Sequence, residues 1–298
     1  MITLPPLRDI PVFVFRSTDN DAPILKGEKG SLKTVLKACL VNGYGEKGAL
    51  GWRILNEDTN TAIFQSNDNT SNKHLLKIDH DAGTHFVRAT GGTGLNGSAL
   101  QNVFGQASMS ANTPVAYGSN VTPWVLVGHS KAFVLLLGST RDNQYGSVLY
   151  FGDIPSLIAD DMYATCLWAT RTNGTTMATG ANANLFVAFP ANYKGIVSDT
   201  ADTPITWLGT YNGSTFGNMG TFAPNESNQL LAAPVAIREN PVVRGLMSGI
   251  VVPSLLLPAE WNLNNCPLPE FEDYIVARFS ENSTQSNILV NTVAWQGV

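Results

Sequence analysis

From Gly51 onward the apolar residues recur in short runs with period two, each run closed by Gly, Asn, Asp or Ser. Side chains alternate faces along a strand, so this spacing builds half-buried strands joined by tight turns and excludes a helical architecture. The runs Thr122–Val127, Ala132–Leu137 and Ser147–Phe151 are the strongest. Only Gly128–Lys131 and Gly138–Gly146 separate them, which predicts a meander in an antiparallel sheet. Further strands are expected at 12–16, 61–65, 163–170, 185–189, 205–208, 231–237, 242–252, 274–279 and 287–295. The runs 74–80 and 84–89 read as a hairpin turning at Asp81-Ala82-Gly83. Residues 91–120 read as a Gly/Ser/Asn-rich loop with a short helix near 98–104.

One segment breaks the pattern. Leu32, Val35, Leu36, Cys39 and Leu40 fall at helical spacing between Ser31, an N-cap residue type, and Asn42-Gly43, a stop. The expected fold class is mainly β with a few short helices (β-rich α+β), with antiparallel sheets and one N-terminal helix at about 31–41. A chain of 298 residues supports one large domain or two modules, divided near 1–155 and 156–298. The Pro-rich residues 1–11 read as an extended arm, free to add a strand to a neighbour's sheet.

Charge narrows the partners. Only 14% of residues are charged, against roughly 25% in average soluble chains, and Asn, Thr, Ser and Gly replace them. Depleted charge suits a subunit that buries its outside against neighbours. A net charge of -5 and no basic stripe argue against nucleic acid; the densest cluster, Lys26, Lys29, Lys33 and Lys37, has Glu28 beside it and reads as a solvated face. No apolar run is long enough to span a bilayer, and no signal peptide opens the chain, which points to synthesis in the cytoplasm. Cys39, Cys166 and Cys266 are scattered and odd in number, so buried free thiols are expected.

Four features imitate active sites. Gly128-His129-Ser130-Lys131-Ala132 resembles a nucleophile elbow, but the apolar run after it is a strand and no histidine follows His129. Gly92-Thr-Gly94-Leu-Asn-Gly97 is a formal dinucleotide fingerprint, yet no Asp or Glu lies between Asp81 and Asp142 to hold a ribose. Asp79, His80, Asp81 and His85 are weak metal candidates; the position of the calcium loop's closing Glu is Thr90. The acid groups Asp160-Asp161 and Glu270/Glu272/Asp273 read as solvated charges, since sequence neighbours do not face each other across a cleft. The expectation is no catalytic residue, no cofactor and no enzyme. Tyr211 and Phe216, in a Gly/Asn-rich loop, are the candidate partner or ligand contacts, and Trp124 is expected in the core.

The block Ala22-Pro-Ile-Leu-Lys-Gly-Glu-Lys-Gly-Ser-Leu32, continuing through Val35-Leu-Lys-Ala-Cys-Leu-Val-Asn-Gly-Tyr-Gly-Glu-Lys47 to Gly51-Trp52, resembles a family of uncharacterised tailed-phage and prophage virion proteins. Trp124–Gly128, Tyr150–Ile154 and Val243–Pro253 are similar to later parts of that pattern, whereas 95–120 and 170–230 depart from it. The resemblance implies a virion structural subunit of the tail or baseplate (tail tip or collar), partnered by other phage structural proteins and by copies of itself in a ring. A receptor- or glycan-binding tail module and a capsid decoration protein are the alternatives.

Overall fold

The computed structural model describes residues 8–81, 86–110, 121–138, 146–172, 183–197, 230, 232–239, 242–253, 256–281 and 284–297. Its strands, numbered along the chain, form three stacked antiparallel sheets and a two-stranded ribbon. The expected meander is the centre: β8 (Trp124–Gly128), β9 (Ala132–Leu137) and β10 (Ser147–Asp153) pair in sequence. β11 (Thr165–Thr172) and β12 (Ala183–Ala188) extend it on one side, and β2 (Phe13–Arg16) closes the other. These strands are apolar at nearly every position because both faces of the sheet are covered. Trp124, Leu126, Phe133, Leu135 and Leu149 point into one core, while Val125, Val127, Val134, Leu136, Val148 and Trp168 point into the other. At about 1.5–3 kcal/mol per fully buried large apolar side chain, this double-faced sheet is the main source of stability.

The first core is roofed by β3 (Trp52–Glu57), β4 (Thr61–Ser66), β5 (Leu75–Asp81), β6 (Phe86–Asn96) and β7 (Ala99–Ser110), paired in chain order. The second is floored by β13 (Ala232–Glu239), β14 (Val242–Pro253), β15 (Tyr274–Glu281) and β16 (Thr284–Asn291), ordered β13-β14-β16-β15. The expected division at 155/156 falls between β10 and β11, which are paired neighbours of the central sheet. Among the described residues no helix is long and apolar enough to cross a membrane.

The N-terminal helix has the extent its spacing suggests but starts differently. α1 covers Ser31–Lys37, and a π-helical turn, Ala38–Asn42, completes it. Gly30, at φ 72°, precedes the helix, and Ser31 is its first residue rather than its cap. The Ser31 hydroxyl instead accepts from Lys26 N–H and donates to the Ile24 carbonyl, tying the incoming loop. Seven residues are too few to hold a helix in water; Leu32, Val35, Leu36, Cys39 and Leu40, all buried, hold this one from the core side. Gly43, at φ 75°, ends it as expected, with a position for a Cβ only 2.4 Å from the Lys47 carbonyl. Lys33 and Lys37 do not simply face water: both reach Glu57 on β3. All three cysteines are buried and free.

Two expectations are corrected. Residues 86–110 are a long hairpin, not a loop with a helix at 98–104. Gly97, at φ 61°, and Ser98 make its two-residue turn. Gly91 serves contact rather than flexibility, since a Cβ there would lie 2.4 Å from the Phe104 ring. The second correction concerns the arm. β1 (Arg8–Pro11) is paired within its own molecule to β17 (Ala294–Gly297), in the register Ile10↔Trp295. Residues 1–7 lie outside the described set. Deleting residues 1–11 is therefore expected to destabilise the monomer by about 2–4 kcal/mol through lost ladder bonds and Ile10 packing. Urea denaturation of the truncated chain checks this, and an unchanged midpoint contradicts the pairing.

Other sheet edges are also occupied from within. On β2, Lys47 Nζ bonds the Val14 carbonyl at 2.7 Å, and the Arg16 N–H donates to Asp19 at 2.6 Å. Burial alone would raise Asp19, but bonds from Lys47, Arg16 N–H and Tyr44 outweigh it and hold the carboxyl below its ordinary value. On β15, the segment 263–266 exchanges backbone bonds with Tyr274 and Val276. Edges filled this way leave no template for another strand.

Candidate functional site

Polar side chains converge where the β8–β9 hairpin, the β4–β5 loop and the β10–β11 loop meet. The tip at Gly128–Ala132 is a hairpin turn, closed by His129 N–H to the Ala132 carbonyl at 2.9 Å. Its Ser130 hydroxyl donates to Asp68 Oδ2 at 2.6 Å, so the serine is bound to a carboxylate and not to an imidazole. His129 is buried, its ring edge-on to Trp295 at 5.5 Å, and Nδ1 accepts from Lys131 N–H. An accepting Nδ1 fixes the neutral tautomer with its proton on Nε2. Burial, then the Lys131 charge, pushes this imidazole down to about 4. Trp52 Nε1 donates to the His129 carbonyl, which links the roof sheet to the hairpin.

A second chain of bonds runs beside the first. Asp153 accepts from Asn72 N–H at 2.8 Å and from Thr165 Oγ1 at 2.7 Å, and Thr165 Oγ1 lies 2.7 Å from His74 Nδ1. With Asp153 ionised, Thr165 donates to it and His74 in turn donates to Thr165. A hydroxyl nucleophile needs the opposite polarity, with the imidazole accepting its proton. These groups join the roof sheet to the central sheet. Burial pushes Asp153 up to about 6, against the bonds from Thr165 and Asn72 and the Lys131 charge. Burial also works to raise Asp68, but bonds from Ser130 and Thr70 bring it down to about 2. His74 sits at about 4 through burial, then the charge of Arg244. Above the network opens a pocket of about 310 Å3, lined by Asn72, His129, Lys131, Asp153 and Asp160 among others.

These shifts set a pH dependence. In the unfolded chain each histidine takes a proton near pH 6.5, and in the fold only near pH 4, so acidification across that window favours unfolding. Asp153 acts oppositely, adding stability as pH falls from about 6 toward 3.8. Two imidazoles outweigh one carboxyl. The expected net loss between pH 7 and pH 4 is on the order of 3 kcal/mol. Urea midpoints measured across that range test the sign, and a His74→Gln variant should flatten the profile.

The strongest ionic feature is one that sequence reading missed. Arg244, fully buried on β14, makes a two-pronged contact with Asp161 at 2.7 and 2.8 Å. It also bonds Glu239 at 2.5 Å and the Ala191 carbonyl at 2.9 Å, and its guanidinium lies 4.8 Å from the Phe189 ring centre. Glu239 in turn accepts from Tyr193 N–H, and the Ser156 hydroxyl donates to Asp161. Of the acid pair read as solvated, Asp160 is exposed but the Asp161 carboxylate is fully buried. Glu270, Glu272 and Asp273 are exposed, as expected.

Asp79 is half-buried on β5, paired across Arg88, and His80 and Asp81 continue that strand. A calcium loop over 79–90 is excluded by this pairing, because Asp79–Asp81 and Phe86–Thr90 are strand residues. His85, Tyr211 and Phe216 lie outside the described residues, as do the expected strand at 205–208 and Trp207. Trp124 is in the core, as its strand position implied. The fingerprint Gly92–Gly97 forms the end of a hairpin. No family model, curated protein or solved structure matches the chain.

Proposed function

We propose that the chain is a structural subunit of a tailed-phage virion, placed in the tail or baseplate. It acts by assembly with other virion proteins and with copies of itself in a closed ring. The reading is carried by the block from Ala22 to Trp52, which resembles tail-region virion proteins. That block has a physical role here: it seats α1, Tyr44 and Trp52 against the first core. A charged fraction of 14% adds support, because interface centres are poor in charge. The hydroxyls, imidazoles and carboxylates at the layer junction are engaged in joining sheets, a use that suits a rigid building block.

A receptor- or glycan-binding role for the same subunit is favoured by one observation, the pocket of about 310 Å3 beside Asp153 and Asn72, which falls at the small end of ligand-sized cavities. Mass spectrometry of gradient-purified particles, from the phage or induced prophage that encodes the chain, tests the main reading. The peptide is expected in the particle fraction in fixed proportion to known tail proteins. Recovery only in the soluble lysate overturns it.

A further inference from the structure

We infer that the adjoining loops 159–163 and 192–197 form a contact surface for a second copy of this chain across a two-fold axis. The two loops lie side by side, with the ring of Tyr163 against Gly195 (3.1 Å from the position of a Cβ there). One buried cation pins both: Arg244 holds the Asp161 carboxylate of the first loop and the Ala191 carbonyl at the root of the second. Tyr193 N–H on Glu239 adds a further tie, and Asn192 closes its own loop by accepting from the N–H groups of Lys194 and Ile196.

What these fixed loops present is apolar. Met162 is 66% exposed, Ile196 59% and Val197 68%, the three largest values among the exposed large hydrophobics of the described residues. Surface loops anchored by a buried ionic cluster lose little freedom on docking, so contacts made through them are not offset by an ordering cost. Scattered single apolar residues are ordinary on a surface, whereas these three fall on two loops that touch through Tyr163 and Gly195, and Met162 also lines the pocket beside Asp153.

Charge identifies the occupant. The first loop carries exposed Asp160 beside Met162, and the second carries exposed Lys194 beside Ile196. A two-fold axis between the loops sets the first loop of each copy against the second loop of the other. Met162 then meets Ile196 and Val197, and Asp160 meets Lys194, twice over by symmetry. A patch complementary to itself is the requirement of an isologous contact. An unrelated acidic or basic partner would match only one of the two loops.

This contact concerns the purified chain and does not rest on the virion reading: a solution dimer of a chain missing from particles would overturn that reading and leave this one intact. Sedimentation velocity of the full chain over a concentration series tests it. The expected result is a reversible monomer–dimer equilibrium, abolished in an Ile196→Ser/Val197→Ser variant whose far-UV spectrum and urea midpoint match the parent. Asp160→Lys alone and Lys194→Asp alone should each weaken the dimer about tenfold, since each reversal acts at two symmetric sites, and the double reversal should restore it. A chain that stays monomeric to its solubility limit overturns the inference. So does a dimer indifferent to these substitutions, or one that the double reversal fails to rescue.

Discussion

Replacing Arg244 with alanine is expected to cost about 3–5 kcal/mol of folding stability, the range for removing one partner of a buried ionic cluster. The reason lies in what remains. The Asp161 carboxylate is fully buried and Glu239 nearly so, and without the guanidinium both keep their desolvation cost while losing their counter-charge. The Ala191 carbonyl also loses a donor. Neutralising the cluster together, as Arg244→Met with Asp161→Asn and Glu239→Gln, should be milder than Arg244→Ala alone, because no buried charge is left unpaired. Urea denaturation of the single and triple variants makes the comparison. If the triple variant is the less stable, the cluster acts through its hydrogen-bond geometry and not through charge.

The second large effect is expected at Trp295. Its ring is almost fully buried, stacks on Tyr150 at 6.3 Å and meets His129 edge-on, and its Nε1 donates to the Asn291 carbonyl at 2.8 Å. Trp295→Ala should cost about 3–5 kcal/mol, as large aromatic truncations in cores do. The same ring explains Gly249, which has φ 70° and a Cβ position 2.0 Å from Trp295 Nε1. Gly249→Ala should therefore be severely destabilising in the parent. With Trp295 already alanine it should cost only its backbone strain, about 1 kcal/mol. A double-mutant cycle reads this directly, and additive costs would mean that ring and glycine do not oppose each other.

Much of the scaffold was legible because its signals are local. Unbroken apolar runs such as Phe133–Leu137 require a strand with both faces covered, and Asn42-Gly43 requires a helix to stop. The hairpin tip at Gly128–Ala132 was readable for the same reason, since a strand-like run follows it. Other features depend on partners distant in sequence. Asp161 looks like any loop acid until Arg244, on β14, reaches it. Residues 8–11 look like a free arm until β17 supplies their partners at the far end of the chain. The Gly-rich stretch after Thr90 resembles a loop by composition, and only Phe104, lying across Gly91 from the next strand, reveals why small residues are needed there. Ser31 has the chemistry of a cap, but the loop carrying Ile24 and Lys26 competes for its hydroxyl and wins. In the candidate site the residue types were visible, while the direction of the Thr165 proton, which decides what His74 can do, is set by the fold alone.

Whether the chain is built into the virion tail is decided by cryo-electron microscopy of purified particles from the phage or induced prophage that encodes it. The expected result is density for three stacked antiparallel sheets, repeated as a ring at the tail or baseplate. Particles fully reconstructed without that density, tail and head alike, would contradict it.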